Sequence, residues 1–337
     1  MKLIVIQLAF FFVFHSEAKL TEQAMLDELA KAEDYLQVKP SVSTAILTKH
    51  LDKVSVLDRQ TQLRWLQNLL RASVSLNDLT QIESTAALML SYPELKEAND
   101  KLITLLSSVG IMMRRLGDIE RSVDVFDCAL QQPIDNYKQL LSLKVSKGIS
   151  LRHLGKTSEA KQIYQSALVV ALQQQNEIYQ SIIYNALGLL ALEQGNYSLA
   201  KKNFIEGMHL SQKISRRSGQ LITGLNLLLL AIVQDDEMLY LRLYSPISSL
   251  THGSKNNDRH IYLLLLEHAY QVMQGKQLTD KELSALAKEF AKIKDTSLYN
   301  LLLRHLAKPL NISVEPKQNV QVQYKGELLK YADFCQI

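Results

Sequence analysis

Three stretches of the chain repeat one another, and that repeat constrains the fold more than any other feature. VGIMMRRLGDIERSVDVFDCAL, KGISLRHLGKTSEAKQIYQSAL and LGLLALEQGNYSLAKKNFIEGM align on glycine pairs: Gly110 and Gly117, Gly148 and Gly155, Gly188 and Gly195. The two glycines are seven residues apart in every copy, and the copies are spaced by 38 and 40 residues. Five residues after the second glycine stand Ser122, Ala160 and Ala200. Nine after it stand Phe126, Tyr164 and Phe204, and twelve after it Ala129, Ala167 and Gly207. The second glycine lies where one helix ends and can take the left-handed conformation. The first sits inside a helix, where glycine costs about 1 kcal/mol relative to alanine. That cost points to close packing. The second helix approaches the glycine, its small residues face the gap, and its aromatic ring fills the space beside them. Antiparallel helix pairs stacked in this way form a solenoid.

The pattern resembles the tetratricopeptide repeat, a helix–turn–helix unit of about 34 residues. Gly110, Gly148 and Gly188 match its mid-helix glycine, Ser122, Ala160 and Ala200 its small residue, and Phe126, Tyr164 and Phe204 its aromatic. The family's early tryptophan is absent from all three copies, and Pro133 only approximates its terminal proline. The resemblance implies an all-α, right-handed superhelical solenoid of antiparallel helix pairs, with the first helix of each pair lining a concave groove. Carried onto this chain, the groove positions include Arg114, Arg115, Arg152, His153, Asn185 and Leu189, with Leu225 and Leu228 extending an apolar strip. A basic patch beside an apolar strip suits a protein or extended peptide that presents an acidic group or a carboxylate.

The same repeat disposes of another reading. Gly155-Lys156-Thr157 spells the end of a nucleotide-binding P-loop, but the glycine that the motif requires five residues before Gly155 is missing, and Ser150 stands there. The segment also lies between two helices instead of after a strand, so no nucleotide is expected.

The register extends in both directions. Gly224 and Tyr240 suggest a decayed fourth copy over 217–250, and Asn77 holds the turn position 40 residues before Gly117. Residues 19–100 read as degenerate helical pairs, among them Thr21–Leu36 and Ser43–Val54 on either side of Pro40. Residues 103–214 hold the three good copies, and 259–307 three capping helices. The tail 308–337 changes character: Asn319–Tyr324 alternates like a strand, so a hairpin is one reading and an irregular segment another.

The first eighteen residues have the outline of a secretory signal peptide. Lys2 precedes the apolar run Leu3–Phe14, and Ser16 and Ala18 set up cleavage near Ala18. The later apolar run Leu221–Val233 is too short to span a bilayer. The mature chain is therefore expected in the periplasm or outside the cell, without stable membrane insertion. Cys128 and Cys335 allow one disulfide and no disulfide framework, and Cys128 also reads simply as a small apolar residue on a helix. A net charge of +4 with no basic block gives no case for nucleic acid. No nucleophile elbow or H-E-x-x-H motif occurs. Asp235, Asp236 and Glu237 are consecutive and diverge on a helix. No catalytic residue, metal site or cofactor is assigned. The leading reading is a non-catalytic protein- or peptide-binding module of the cell envelope, such as an accessory to a membrane signalling protein. A structural scaffold or assembly factor ranks second, and an all-α enzyme third.

Overall fold

The computed structural model describes residues 22–254, 256–316, 324 and 326–335. The leader and most of the strand-like stretch 319–324 lie outside them. Among the described residues the chain is all-α and contains no strand. The helices run α1 (Glu22–Val38), α2 (Pro40–Lys49), α3 (Arg59–Leu76), α4 (Leu79–Leu90), α5 (Asn99–Leu116), α6 (Ile119–Gln131), α7 (Tyr137–His153) and α8 (Thr157–Gln173). They continue as α9 (Glu177–Glu193), α10 (Tyr197–Lys213), α11 (Arg217–Val233), α12 (Glu237–His252), α13 (Asn257–Met273), α14 (Asp280–Ala291), α15 (Thr296–Leu302) and the short α16 (Gly326–Leu329). Pro40 opens α2 instead of separating it from α1, since the first helical turn needs no amide donor there.

Left-handed residues set the helix length. Gly155, Gln175, Gly195, Ser215 and Asp235, twenty residues apart, all have positive φ, as do Asn77 and Gly117 upstream. From α7 to α11 the repeat is therefore built of helices of equal length, each closed by one left-handed residue, whereas α6 is shorter and ends on extended backbone at Gln132. The glycine pattern exposes only every second turn, because Gln175 and Ser215 carry ordinary side chains into the left-handed region. The residue after such a turn commonly caps the next helix. Asn176, Asn196 and Asp236 accept from the backbone N–H of Tyr179, Leu199 and Leu239 at 3.1, 3.1 and 3.0 Å.

The mid-helix glycines do pack closely, but the neighbour differs from the one expected. A Cβ at Gly110 would stand 2.9 Å from the Phe126 ring, and at Gly148 and Gly188 it would collide with the rings of Tyr164 and Phe204. The ring itself lies on the glycine, and the small residues bring the backbones together around it. Ser122, for example, donates its hydroxyl to the Gly110 carbonyl at 2.8 Å.

The fourth copy keeps the forty-residue helix register, which moves its assignment by one helical turn. Leu228 and Tyr244 stand where Gly188 and Phe204 do, and Gly224 instead faces Ile247. Leu225 and Leu228 are 1% and 0% exposed, so the apolar strip expected in the groove is core.

Odd-numbered helices from α1 to α13 touch the next odd helix as well as their own partners, whereas the even helices from α2 to α14 make no comparable contact with one another among the described residues. A layer whose members pack on each other lies on the inside of the bend. The odd helices thus form the concave face and the even helices the convex one. The chain then turns back on itself. Phe290, Ile293, Tyr299, Leu302 and Leu306 bury against the core of α11 and α13, which brings α15 to the ends of α7 and α9.

Candidate functional site

The ends of α5, α7 and α9 meet α15, and the meeting point is basic. A helix C-terminus gathers unpaired carbonyls and partial negative charge, which favours cations in the last turn. Accordingly α5 ends on Arg114 and Arg115 and α7 on Arg152 and His153. Arg115 donates Nη1 to the Val74 carbonyl at 3.0 Å, tying the end of α5 to the end of α3. Arg152 is ion-paired with Glu193 at the end of α9, and the two side chains are 7% and 17% exposed. Its Nη2 also donates to Ser297 Oγ at 2.9 Å and lies 3.4 Å from His153 Nε2. One guanidinium therefore joins α7, α9 and α15.

The structure brings Arg114, Arg115, Arg152 and His153 together, as the repeat register implies, but not on an open groove. They are half-buried at a junction that α15 helps to close. Asp295, which caps α15 by accepting from Leu298 N–H at 3.0 Å, is the carboxylate acting most strongly on Arg114 and Arg115. Burial pulls the Arg114 guanidinium down to about 10, against the opposing pull of Asp295. Burial pushes the Tyr164 phenol up to about 12, so it remains a neutral donor. Tyr164 Oη lies beside Arg152 without a hydrogen bond of ordinary geometry. Arg114 Nε, Arg152 Nε and Asn300 Oδ1 are likewise buried without a protein partner. Buried polar groups are normally satisfied, so their concentration at one junction sets it apart.

Two adjoining cavities of about 90 and 340 Å³ open there. Arg152, His153, Glu193 and Arg304 line both; Ser297 and Asn300 add to the smaller, and Gly155, Thr157 and Gln194 to the larger. Around the junction four guanidiniums, Arg114, Arg115, Arg152 and Arg304, face two carboxylates, Glu193 and Asp295, which leaves an excess of two positive charges. An oxyanion that enters the cavities meets fixed cationic donors there.

Sequence reasoning did not reach Arg304, Ser297 or Asn300. They lie about 150 residues beyond α7, on a helix that reads only as a cap. Of the residues expected in the groove, Arg152 and His153 line these cavities, and Arg114, Arg115, Asn185 and Leu189 do not. Asn185 Oδ1 accepts from Asn226 Nδ2 at 2.9 Å, and Asn226 Oδ1 accepts from the Tyr262 hydroxyl at 3.2 Å, a polar chain across α9, α11 and α13. Leu189 packs on the apolar core of the C-terminal half. Gly155-Lys156-Thr157 forms a helix turn: Gly155 has φ +72°, and the Thr157 amide donates to the Gly155 carbonyl at 2.8 Å. Among the described residues no group of three or more His, Cys, Asp and Glu is placed to hold a metal ion.

The two histidines near α15 give the fold a defined acid response. Burial, reinforced by Arg152 and Arg114, holds His153 well below its usual value, and burial with Arg304 holds His305 down to about 4. Both are neutral when folded, so on acidification the unfolded chain takes up protons first. Stability should therefore be full above about pH 6.5, the unperturbed histidine value, and fall progressively toward pH 4. Urea midpoints measured across this range should fall less steeply in His305→Asn than in the wild type.

No family model matches the chain, and no curated protein matches it. Among solved structures, it is similar to the Rap protein crystallised in complex with competence and sporulation factor. The TM-score is 0.48 and the sequence identity 10%, over 86% of this chain and 98% of that one. Similarity at this level identifies neither a family nor a ligand.

Proposed function

We propose that the protein is a non-catalytic helical-repeat module that binds a protein or extended peptide through an acidic group, captured where α7, α9 and α15 meet. One observation carries this reading: guanidiniums outnumber carboxylates around cavities that open to solvent, and Arg152, almost fully buried, keeps its Nε unpartnered there. Arg152 and His153 form the inner part of the site, and Arg114 and Arg115 add positive charge beside them without lining the cavities. Arg304, which is exposed, forms its mouth. The Cys128–Cys335 disulfide supports an oxidising compartment. No helix among the described residues is long and apolar enough to cross a membrane. With the leader read from the sequence, this favours an exported protein of the cell envelope, and service as an accessory to a membrane signalling protein fits the same placement.

Arg304→Glu tests the site without disturbing the core. A charge-assisted contact to a carboxylate is worth about 1.5–3 kcal/mol, and each 1.4 kcal/mol is about tenfold in affinity. Fluorescence anisotropy with a labelled glutamate-rich peptide should show binding weakened about tenfold or more, with the melting temperature nearly unchanged. Unchanged affinity would move the binding surface away from these cavities.

A second reading, a scaffold that binds through its convex face, has one observation in its favour. Val169, Ile205, Met238 and Leu241 on α8, α10 and α12 are 54%, 46%, 78% and 53% exposed. Apolar surface on an outer layer is a mark of contact with other proteins.

A further inference from the structure

The end of the chain returns to the second and third helix pairs. α16 packs on α4, and the tight turn Lys330–Phe334 follows it. Leu328, Tyr331 and Cys335 bury in the apolar cluster that holds Met89 of α4 and Val125 and Cys128 of α6. Lys330, Ala332 and Asp333, between them, are exposed. The polar ties are few. Gln132 Nε2 donates to the Phe334 carbonyl at 3.2 Å, the Tyr324 hydroxyl donates to Asp118 Oδ2 at 3.3 Å, and Arg121 lies 5.6 Å from the centre of the Tyr324 ring. The covalent tie is the Cys128–Cys335 disulfide, across 207 residues of sequence, with Cα atoms 5.2 Å apart.

A segment of this kind does not hold itself in place. Its only regular helix is four residues long, far below the length at which a helix persists alone. Each residue it orders loses conformational freedom, and among the described side chains only Leu328, Tyr331 and Cys335 are buried in return. A covalent link makes docking intramolecular and raises the local concentration of the segment at its groove. The position of the bond also governs access to it. Cys128 lies inside α6 at 1% exposure, whereas Cys335 follows the short turn Lys330–Phe334 at 9%. A short opening of the last turn reaches Cys335 without disturbing the helix pairs.

We propose that Cys128–Cys335 is a thiol–disulfide exchange site that latches residues 326–335 onto the protein, and that reduction by an external dithiol releases them and uncovers the apolar groove between α4 and α6. A thiolate of the dithiol attacks Sγ of Cys335. The bond to Cys128 breaks, and Cys128 leaves as a thiolate and takes up a proton. The second thiol of the dithiol then attacks the mixed disulfide, closes its own disulfide and frees Cys335. Two electrons pass from the dithiol to the protein. The oxidised protein is closed and the reduced protein open.

The test uses the oxidised full-length protein, titrated with dithiothreitol in native buffer and quenched with iodoacetamide. Intact mass, far-ultraviolet circular dichroism and amide hydrogen exchange are followed together. Both cysteines should become alkylated while helicity is unchanged. Exchange in 326–335 and in the facing parts of α4 and α6 should accelerate about tenfold or more. Cys335→Ser should show the same exchange pattern without reductant, and wild type left oxidised should not. Alkylation that begins only as helicity is lost would overturn the proposal, and so would unchanged exchange in the reduced, folded protein.

Discussion

Gly148→Leu is expected to lower the free energy of unfolding by about 3 kcal/mol, the upper part of the range for overpacked cores. Leucine is the better helix former by nearly 1 kcal/mol, so propensity alone predicts a small gain. Packing decides the sign. The first carbon of any side chain at Gly148 would collide with Cε1 of Tyr164, and that ring is fully buried. The collision disappears if the ring is removed. Gly148→Leu combined with Tyr164→Ala should therefore be less destabilised than the sum of the two single variants, with a coupling energy of about 1–3 kcal/mol. Urea denaturation of the four proteins measures it. An unchanged or raised midpoint for Gly148→Leu alone would show that the second helix does not pack on the glycine.

Loss of the disulfide should have an effect of similar size. The bond closes a loop of 207 residues, for which the chain-entropy relation gives about 5 kcal/mol of destabilisation of the unfolded state. The freedom that the C-terminal segment regains when released subtracts from this. A net loss of about 2–4 kcal/mol is expected, within the range usual for native disulfides. Cys128→Ser combined with Cys335→Ser, compared with wild type by urea denaturation without reductant, gives the value. Adding reductant should bring wild type to the level of the double variant and leave the double variant unchanged.

Much of the architecture was legible because backbone requirements leave marks in sequence. A left-handed turn favours glycine or asparagine, so Asn77, Gly117, Gly155 and Gly195 announced their turns. Gln175 and Ser215 take the same conformation with no compositional mark, and the twenty-residue half-repeat stayed hidden. In the fourth copy, a glycine at 224 drew the register one turn away from the true position at Leu228. The turn there is Asp235, and the small residue of the other copies is replaced by Tyr240.

The site was legible only in part. Arg114, Arg115, Arg152 and His153 follow from the repeat register, because equivalent positions on successive inner helices must lie side by side. Their cover does not follow from it. The return of α15 depends on the accumulated curvature of the superhelix, and no local pattern records that. Arg304, Ser297 and Asn300 reach the site by this route alone. The pairing of Cys128 with Cys335 depends on the same return, which is why two cysteines 207 residues apart gave only the option of a bond.

The most direct test of the account is whether the protein prefers an acidic chain. Two labelled extended peptides of equal length and hydropathy, one glutamate-rich with a free C-terminal carboxylate and one lysine-rich with an amidated end, are titrated with the full-length protein by fluorescence anisotropy. The account predicts that the glutamate-rich peptide binds, that its affinity falls from low to physiological salt as the guanidiniums are screened, and that the lysine-rich peptide does not compete. Equal binding of the two peptides, or tighter binding of the lysine-rich one, would contradict it.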